Sequence, residues 1–132
     1  MTHITQLSTV LVRVADQDRA LEFYTGTLGF EKLVDFGYAG GARWIEVAPP
    51  GAATSLSLAR GTGGEETGVA FDSADVEADH AALRARGVDV DESILREGDS
   101  VLHWAGAVLA GIPPMFRLRD PDGNSLLVVQ QP

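Results

Sequence analysis

Few residues in this chain are equipped for chemistry, and their spacing narrows what that chemistry can be. The three histidines, His3, His80 and His103, include no i, i+4 pair and no His-x-His, so they form no ligand cluster by themselves. Cysteine is absent, which removes thiolate metal sites, cysteine nucleophiles and disulfides but leaves the redox compartment open. There is no Gly-x-Ser-x-Gly elbow, no Gly-x-Gly-x-x-Gly opening a helix after a strand and no P-loop lysine. A serine nucleophile and nucleotide cofactors are therefore not indicated, and no cofactor is expected. Gly61-Thr62-Gly63-Gly64 is followed by Glu65-Glu66, whose charge repels phosphate, and it reads as a linker.

What remains is a set of charged and aromatic residues inside strand-like runs. Thr9–Val14 alternates, with Val10, Val12 and Val14 on one side and Thr9, Leu11 and Arg13 on the other, as a half-buried strand does. Trp44 and Glu46 lie two apart and share a side of a strand over Arg43–Ala48. Further strands are expected at 31–38, 54–59, 68–71, 88–91, 115–119 and 125–130. Asp72 follows one of them and Arg117 lies within another. Asp16-Gln17-Asp18 offers capping chemistry for a helix to Leu28, with Ala20, Leu21, Tyr24 and Leu28 as its buried stripe and Gly29 as its left-handed stop. A second helix runs from Asp75 through Arg86 and stops at Gly87. Gly29 and Gly87 lie 58 residues apart, and Asp16 and Asp75 lie 59 apart. The chain is thus an internal duplication of a βαβββ module, the first over about 1–60 and the second over about 67–132. The second is less regular, with a long stretch over 93–113 that carries His103 and Trp104.

Composition sets the outer bounds. With 132 residues, the chain has the length of one domain. A formal charge of −9 disfavours phosphate backbones and anionic lipid, so neither nucleic acid nor membrane is expected as a partner. The same charge attracts cations. No window is long and apolar enough to span a bilayer, the N-terminal residues lack the pattern of a secretory signal, and a cytoplasmic location is expected.

The order strand, Asp-initiated helix, Phe23-Tyr24…Leu28-Gly29-Phe30, and a late Asp120-Pro121-Asp122-Gly123-Asn124 turn before a final strand resembles the vicinal-oxygen-chelate superfamily of glyoxalases, bleomycin-resistance proteins and extradiol dioxygenases. The resemblance covers nearly the whole chain. It implies an α+β fold in which two tandem βαβββ modules form a curled, cup-shaped mixed sheet with the helices outside. Metal-dependent members similar to this chain carry four cup-facing ligands, whose positions here fall on Thr9, Glu46, Gly68 and Leu127. Only Glu46 is a donor of the usual kind, so no metal is expected.

On this resemblance, alternation turns Arg13, Trp44, Glu46, Asp72 and Arg117 into the cup beside Thr9, Leu11, Met115, Leu127 and Val129. The arginines and acids then either orient a ligand or neutralise one another as Arg13–Asp72 and Glu46–Arg117. His103 and Trp104 belong to a stretch, 101–114, too apolar for a free loop. It acts either as a lid whose tryptophan stacks on a ligand, or as packing or a dimer contact. The expected function is metal-free sequestration of a small, partly aromatic compound, favoured by charge to be cationic, by a homodimer of the bleomycin-resistance type. The alternative is a glyoxalase-like lyase or isomerase, either with a displaced metal site or using Glu46 or Asp72 as acid and base. A third reading is an interaction module whose cup is filled by its own side chains.

Overall fold

A computed structural model describes all 132 residues, in two compact units, Met1–Gly63 and Gly64–Pro132. The first contains β1 (Thr9–Val14), α1 (Gln17–Glu22), β2 (Glu31–Gly37), β3 (Arg43–Ala48) and β4 (Ser55–Arg60). The second contains β5 (Glu66–Ser73), α2 (Val76–Ala85), β6 (Asp89–Val90), a small hairpin of β7 (Leu102–Trp104) and β8 (Ala107–Leu109), β9 (Met115–Arg119) and β10 (Ser125–Gln130). The sheet orders are β1-β4-β3-β2 and β5-β10-β9-β6. In each, the first strand runs parallel to the last and the other neighbours are antiparallel. The two sheets therefore share one topology, and the fold is α+β with a repeated βαβββ module.

Local chemistry sets the helices as their sequence implies. Asp16 accepts the backbone N–H of Arg19 at 3.0 Å, and Asp75 accepts that of Ala78 at 3.0 Å, satisfying donors the first turn leaves open. Gly29 and Gly87 close the two segments at φ of 77° and 79°. The first segment departs from the expected regular helix to Leu28. After Glu22 it widens into a π turn over Phe23–Thr27, where Leu28 N–H donates to Phe23 O and the Thr25 hydroxyl donates to Leu21 O. Ala20 and Tyr24 stay fully buried, whereas Leu21 and Leu28 are only half-buried.

The core of the first unit is the helix side of its sheet: Val12 and Val14 from β1, Ile45 and Val47 from β3, Leu56 and Leu58 from β4. Each such side chain contributes about 1.5–3 kcal/mol on leaving water, so the strand alternation fixes which face the helix covers. In the second unit Phe116 and Leu118 of β9 and Leu126 and Val128 of β10 have the corresponding role, with the His80 ring of α2 edge-on to Phe116.

One break in the first sheet shapes everything near it. β3 and β4 pair only at Glu46–Ser57 and Val47–Leu56. Beyond that rung the buried Gln17 amide takes over, donating to Arg43 O of β3 at 2.9 Å and to Leu58 O of β4 at 2.8 Å. Both amide protons are used, so a side chain from α1 replaces the missing ladder bond. We expect Gln17→Leu, which keeps the bulk and removes both donors, to cost about 2 kcal/mol or more in urea unfolding, because two carbonyls lose their partners. A loss under about 0.5 kcal/mol, the size of an ordinary surface change, would show that the bridge is dispensable.

Candidate functional site

The sheet of the first unit has an open face. Thr9, Leu11 and Arg13 of β1 share it with Ser55, Ser57 and Ala59 of β4, with Trp44 and Glu46 of β3, and with Val34 and Phe36 of β2, as the strand registers require. Leu11, Phe36 and Tyr38 each leave about half their surface in water, at 54%, 53% and 51%. The Phe36 and Tyr38 rings lie 6.2 Å apart. A cluster of large apolar and aromatic side chains left exposed on one face is the sign of a contact surface.

At the centre of that face is Glu46, and neither of its oxygens is idle. Ser55 Oγ donates to Oε1 at 2.6 Å, and the Trp44 indole Nε1–H donates to Oε2 at 2.8 Å. Ser55 Oγ also lies 2.8 Å from Thr9 Oγ1, which lies 2.8 Å from Ser57 Oγ. A hydroxyl has one proton. The Ser55 proton is therefore shared between the carboxylate and Thr9 Oγ1, and either hydroxyl can supply the proton between Thr9 and Ser57. The hydrogen bond from Ser55, then that from Trp44, holds the Glu46 carboxyl below its ordinary range against the opposing effect of burial. Glu46 is thus a carboxylate held at both oxygens and favoured in its charged form, which makes it a weak base and a good clamp for the indole.

Beside this clamp, where β3 and β4 stop pairing, is a cavity of about 300 Å³. Leu11, Tyr38, Trp44 and Ser57 line it with Arg43 and Arg60, and Gln17 contributes from the helix. Arg43 is held from outside: Nε and Nη2 each donate to Asp35 at 2.8 Å and Nη1 donates to Asp18 at 2.5 Å. The hydrogen bond from Arg43 keeps the Asp35 carboxyl down at about 2.

The second unit treats the corresponding face differently. Leu95, Trp104, Met115 and Leu127 form a buried cluster there, joined by Leu102, Leu109 and Val129. The stretch over 93–113 is not irregular throughout, since its β7–β8 hairpin supplies the cover. Trp104 is 4% exposed and donates its indole N–H to Ser125 Oγ at 2.7 Å. Of its two expected roles the structure takes packing; the ring has no free face for a ligand, and Met115 and Leu127 lie beneath it. His103, exposed on the hairpin, pairs with Val108 in register. The expected Glu46–Arg117 pair is not formed. Arg117 instead makes a two-pronged contact with Asp91, from Nε and Nη2 at 3.0 Å each, and Arg119 reaches the same carboxylate at 3.1 Å. Burial pushes the Asp91 carboxyl up, but the Arg117 hydrogen bonds and the two positive charges outweigh it, and the net direction is down. Asp72 is exposed on β5.

The residues at the family's metal positions do not fit a divalent ion. In the first unit Thr9 is tied into the hydroxyl chain and Glu46 has both oxygens engaged. In the second, Leu127 has no donor, and Gly68 stands at φ 75° where β5 slips register against β10, with the Thr67 hydroxyl bonded to Ser125 O and to Val69 N–H. No group of three or more His, Cys, Asp or Glu side chains comes together anywhere. No helix is long and apolar enough to cross a membrane.

Site residues that the sequence reading passed over are Gln17, Tyr38, Ser55, Ser57, Arg60 and Asp91. Ser55 and Ser57 carried a signal, since they alternate with Leu56 and Leu58 on the side that faces Glu46. Gln17 and Asp91 carried none, because their partners lie 41 and 26 residues away.

These features define a class, and comparison places the chain in it. The model of the glyoxalase/bleomycin resistance protein/dioxygenase superfamily matches residues 3–128, and the chain belongs to that superfamily. A superfamily member from Sphaerobacter thermophilus is 27% identical and superposes with a TM-score of 0.83 over 98% of this chain and 100% of its own. TnmS3, an antibiotic binding protein from Streptomyces sp. CB03234, is 31% identical with a TM-score of 0.74, each chain covered in full. The uncharacterized protein YetH of Bacillus subtilis is 29% identical over 130 residues, 95% of this chain and 98% of its own.

A carboxyl whose pKa is lowered on folding stabilises the fold above its unfolded value, and that contribution disappears as pH falls through the folded value. Removing the Ser55 hydroxyl takes away the largest lowering influence on Glu46. Ser55→Ala is expected to cost about 1 kcal/mol at pH 7. The gap to the wild type should narrow as pH falls below about 4, where Glu46 is protonated in the unfolded chain. Urea unfolding at both pH values checks this, and a gap independent of pH would contradict the assignment.

Proposed function

We propose that the protein binds and sequesters a small, partly aromatic organic molecule, without a metal, on the open face of its first unit. The observation that carries this reading is the Trp44 indole, fixed by Glu46 Oε2 at 2.8 Å beside a cavity of about 300 Å³. An aromatic ring already immobilised loses little entropy when a second ring stacks on it, so more of the contact energy appears as affinity. The hydrogen bonds from Ser55 and Trp44 favour the charged, weakly basic form of Glu46, which speaks against acid–base turnover by this carboxyl. The relationship to TnmS3, an antibiotic binding protein 31% identical to this chain, supports the same class of activity. Packing of the second unit's corresponding face by Trp104 and its neighbours accounts for that half of the interaction-module reading, while the open face of the first unit speaks for a ligand.

The two tryptophans make the reading testable. In a fluorescence screen of bicyclic and tricyclic aromatic compounds, a binder should quench emission in the wild type and in Trp104→Phe. In Trp44→Phe the quenching should disappear and affinity should fall about tenfold, because phenylalanine offers a smaller ring and no N–H for Glu46 to hold. Quenching that survives in Trp44→Phe and vanishes in Trp104→Phe would place the ligand elsewhere.

A further inference from the structure

We infer that the cavity beside Trp44 selects aromatic compounds bearing an anionic group, a carboxylate or an ionised phenol, and that Arg60 holds that group; the inference rests on the aromatic-binding reading above and specifies its ligand. The chain has 19 acidic and 10 basic residues, so its bulk charge favours cations. The lining of the cavity has the reverse bias: its charged members are Arg43 and Arg60, and no acid is among them. The acids bonded to its lining residues are committed. Glu46 is engaged by Ser55 and Trp44, and Asp18 and Asp35 by Arg43.

Arg60 differs from every other base in the protein. Lys32, Arg43, Arg96, Arg117 and Arg119 are in ion pairs, and Arg84 donates to the Glu92 carbonyl. Arg13, Arg19 and Arg86 also have partners. The Arg60 guanidinium, at the end of β4, has none. In a chain with nearly two acids for each base, an arginine left without an acid, on the wall of a cavity with an aromatic side, is poised for an acceptor from outside. A guanidinium offers a planar fork of donors matched to a carboxylate, and near apolar walls that contact is less weakened by water than on an open surface. The Trp44 ring and the Leu11 side chain then take the apolar body of the ligand from the open face. The anionic group reaches toward Arg60, whose register partner is Val14 on the helix side, through the cavity where β3 and β4 stop pairing.

The test uses three probes with one ring system: 2-naphthoate, its neutral carboxamide and the cationic 2-naphthylmethylamine. Dissociation constants are measured by calorimetry on the whole protein, wild type, Arg60→Gln and Arg60→Lys. The wild type should bind the naphthoate about five- to tenfold more tightly than the carboxamide, with the amine weakest. Arg60→Gln should remove the preference by weakening the naphthoate far more than the carboxamide, and Arg60→Lys should restore part of it. Unchanged melting temperatures for the two variants confirm that the fold is intact, as expected at an exposed strand end. Equal binding of the three probes, preference for the amine, or a preference that survives Arg60→Gln overturns the anion inference and leaves the aromatic reading standing. Failure of all three to bind any variant overturns both.

Discussion

The site depends on a discontinuity in a β-ladder. Two neighbouring strands that part leave carbonyls without donors, and a buried carbonyl left in that state costs about as much as a whole hydrogen bond contributes. In the first unit a glutamine from the helix supplies the donors, joining Arg43 O to Leu58 O with one amide nitrogen. That substitution permits a cavity inside a sheet that would otherwise be closed. It also fixes where the last true rung falls, at Glu46–Ser57, and so where the carboxylate stands. The clamp on Trp44, the chain of hydroxyls through Thr9 and Ser57, and the placement of Arg43 follow from that rung.

The two units show how one topology supports opposite solutions to the same exposed face. Both sheets have the strand order first-last-third-second, and both are covered on one side by a helix capped by aspartate. In the second unit the connection between β6 and β9 is long enough to fold back as a hairpin and lay Trp104 over Met115 and Leu127. In the first, β2 and β3 are joined through a single 3-10 turn at Ala39–Gly41, and the corresponding face stays open with Leu11, Phe36 and Tyr38 in water. Thr9, Gly68 and Leu127 are not donors of the usual kind at the family's metal positions, while the first unit keeps a partly apolar cavity beside Trp44.

Most of the scaffold was legible in the sequence because it is written in local signals. Alternation placed β1 and the shared face of Trp44 and Glu46 in β3, and the Asp120–Asn124 turn separated β9 from β10. The aspartate caps and glycine stops bounded both helical segments, and the 58- and 59-residue offsets exposed the duplication. The π turn escaped because the spacing of Ala20, Tyr24 and Leu28 reads as a regular helix and carries no sign of one widened turn. The site was legible in part. Trp44 and Glu46 share a face as their spacing requires, but the bond between them depends on rotamers that sequence does not specify. Arg117 belongs to Asp91 because β6 aligns against β9, a pairing set by tertiary register. The apolar character of 101–114 correctly excluded a free loop, yet only the fold shows that its tryptophan faces inward.

The central claim is that the aromatic platform exists before any ligand arrives. It is tested most directly by the NMR order parameter of the Trp44 indole Nε1–H in the ligand-free protein. A side chain held by a charge-assisted hydrogen bond should match rigid backbone, at about 0.85, whereas a ring free to turn should fall below about 0.6. A rigid value that drops in Glu46→Leu is the predicted result. A mobile indole in the wild type would contradict the account.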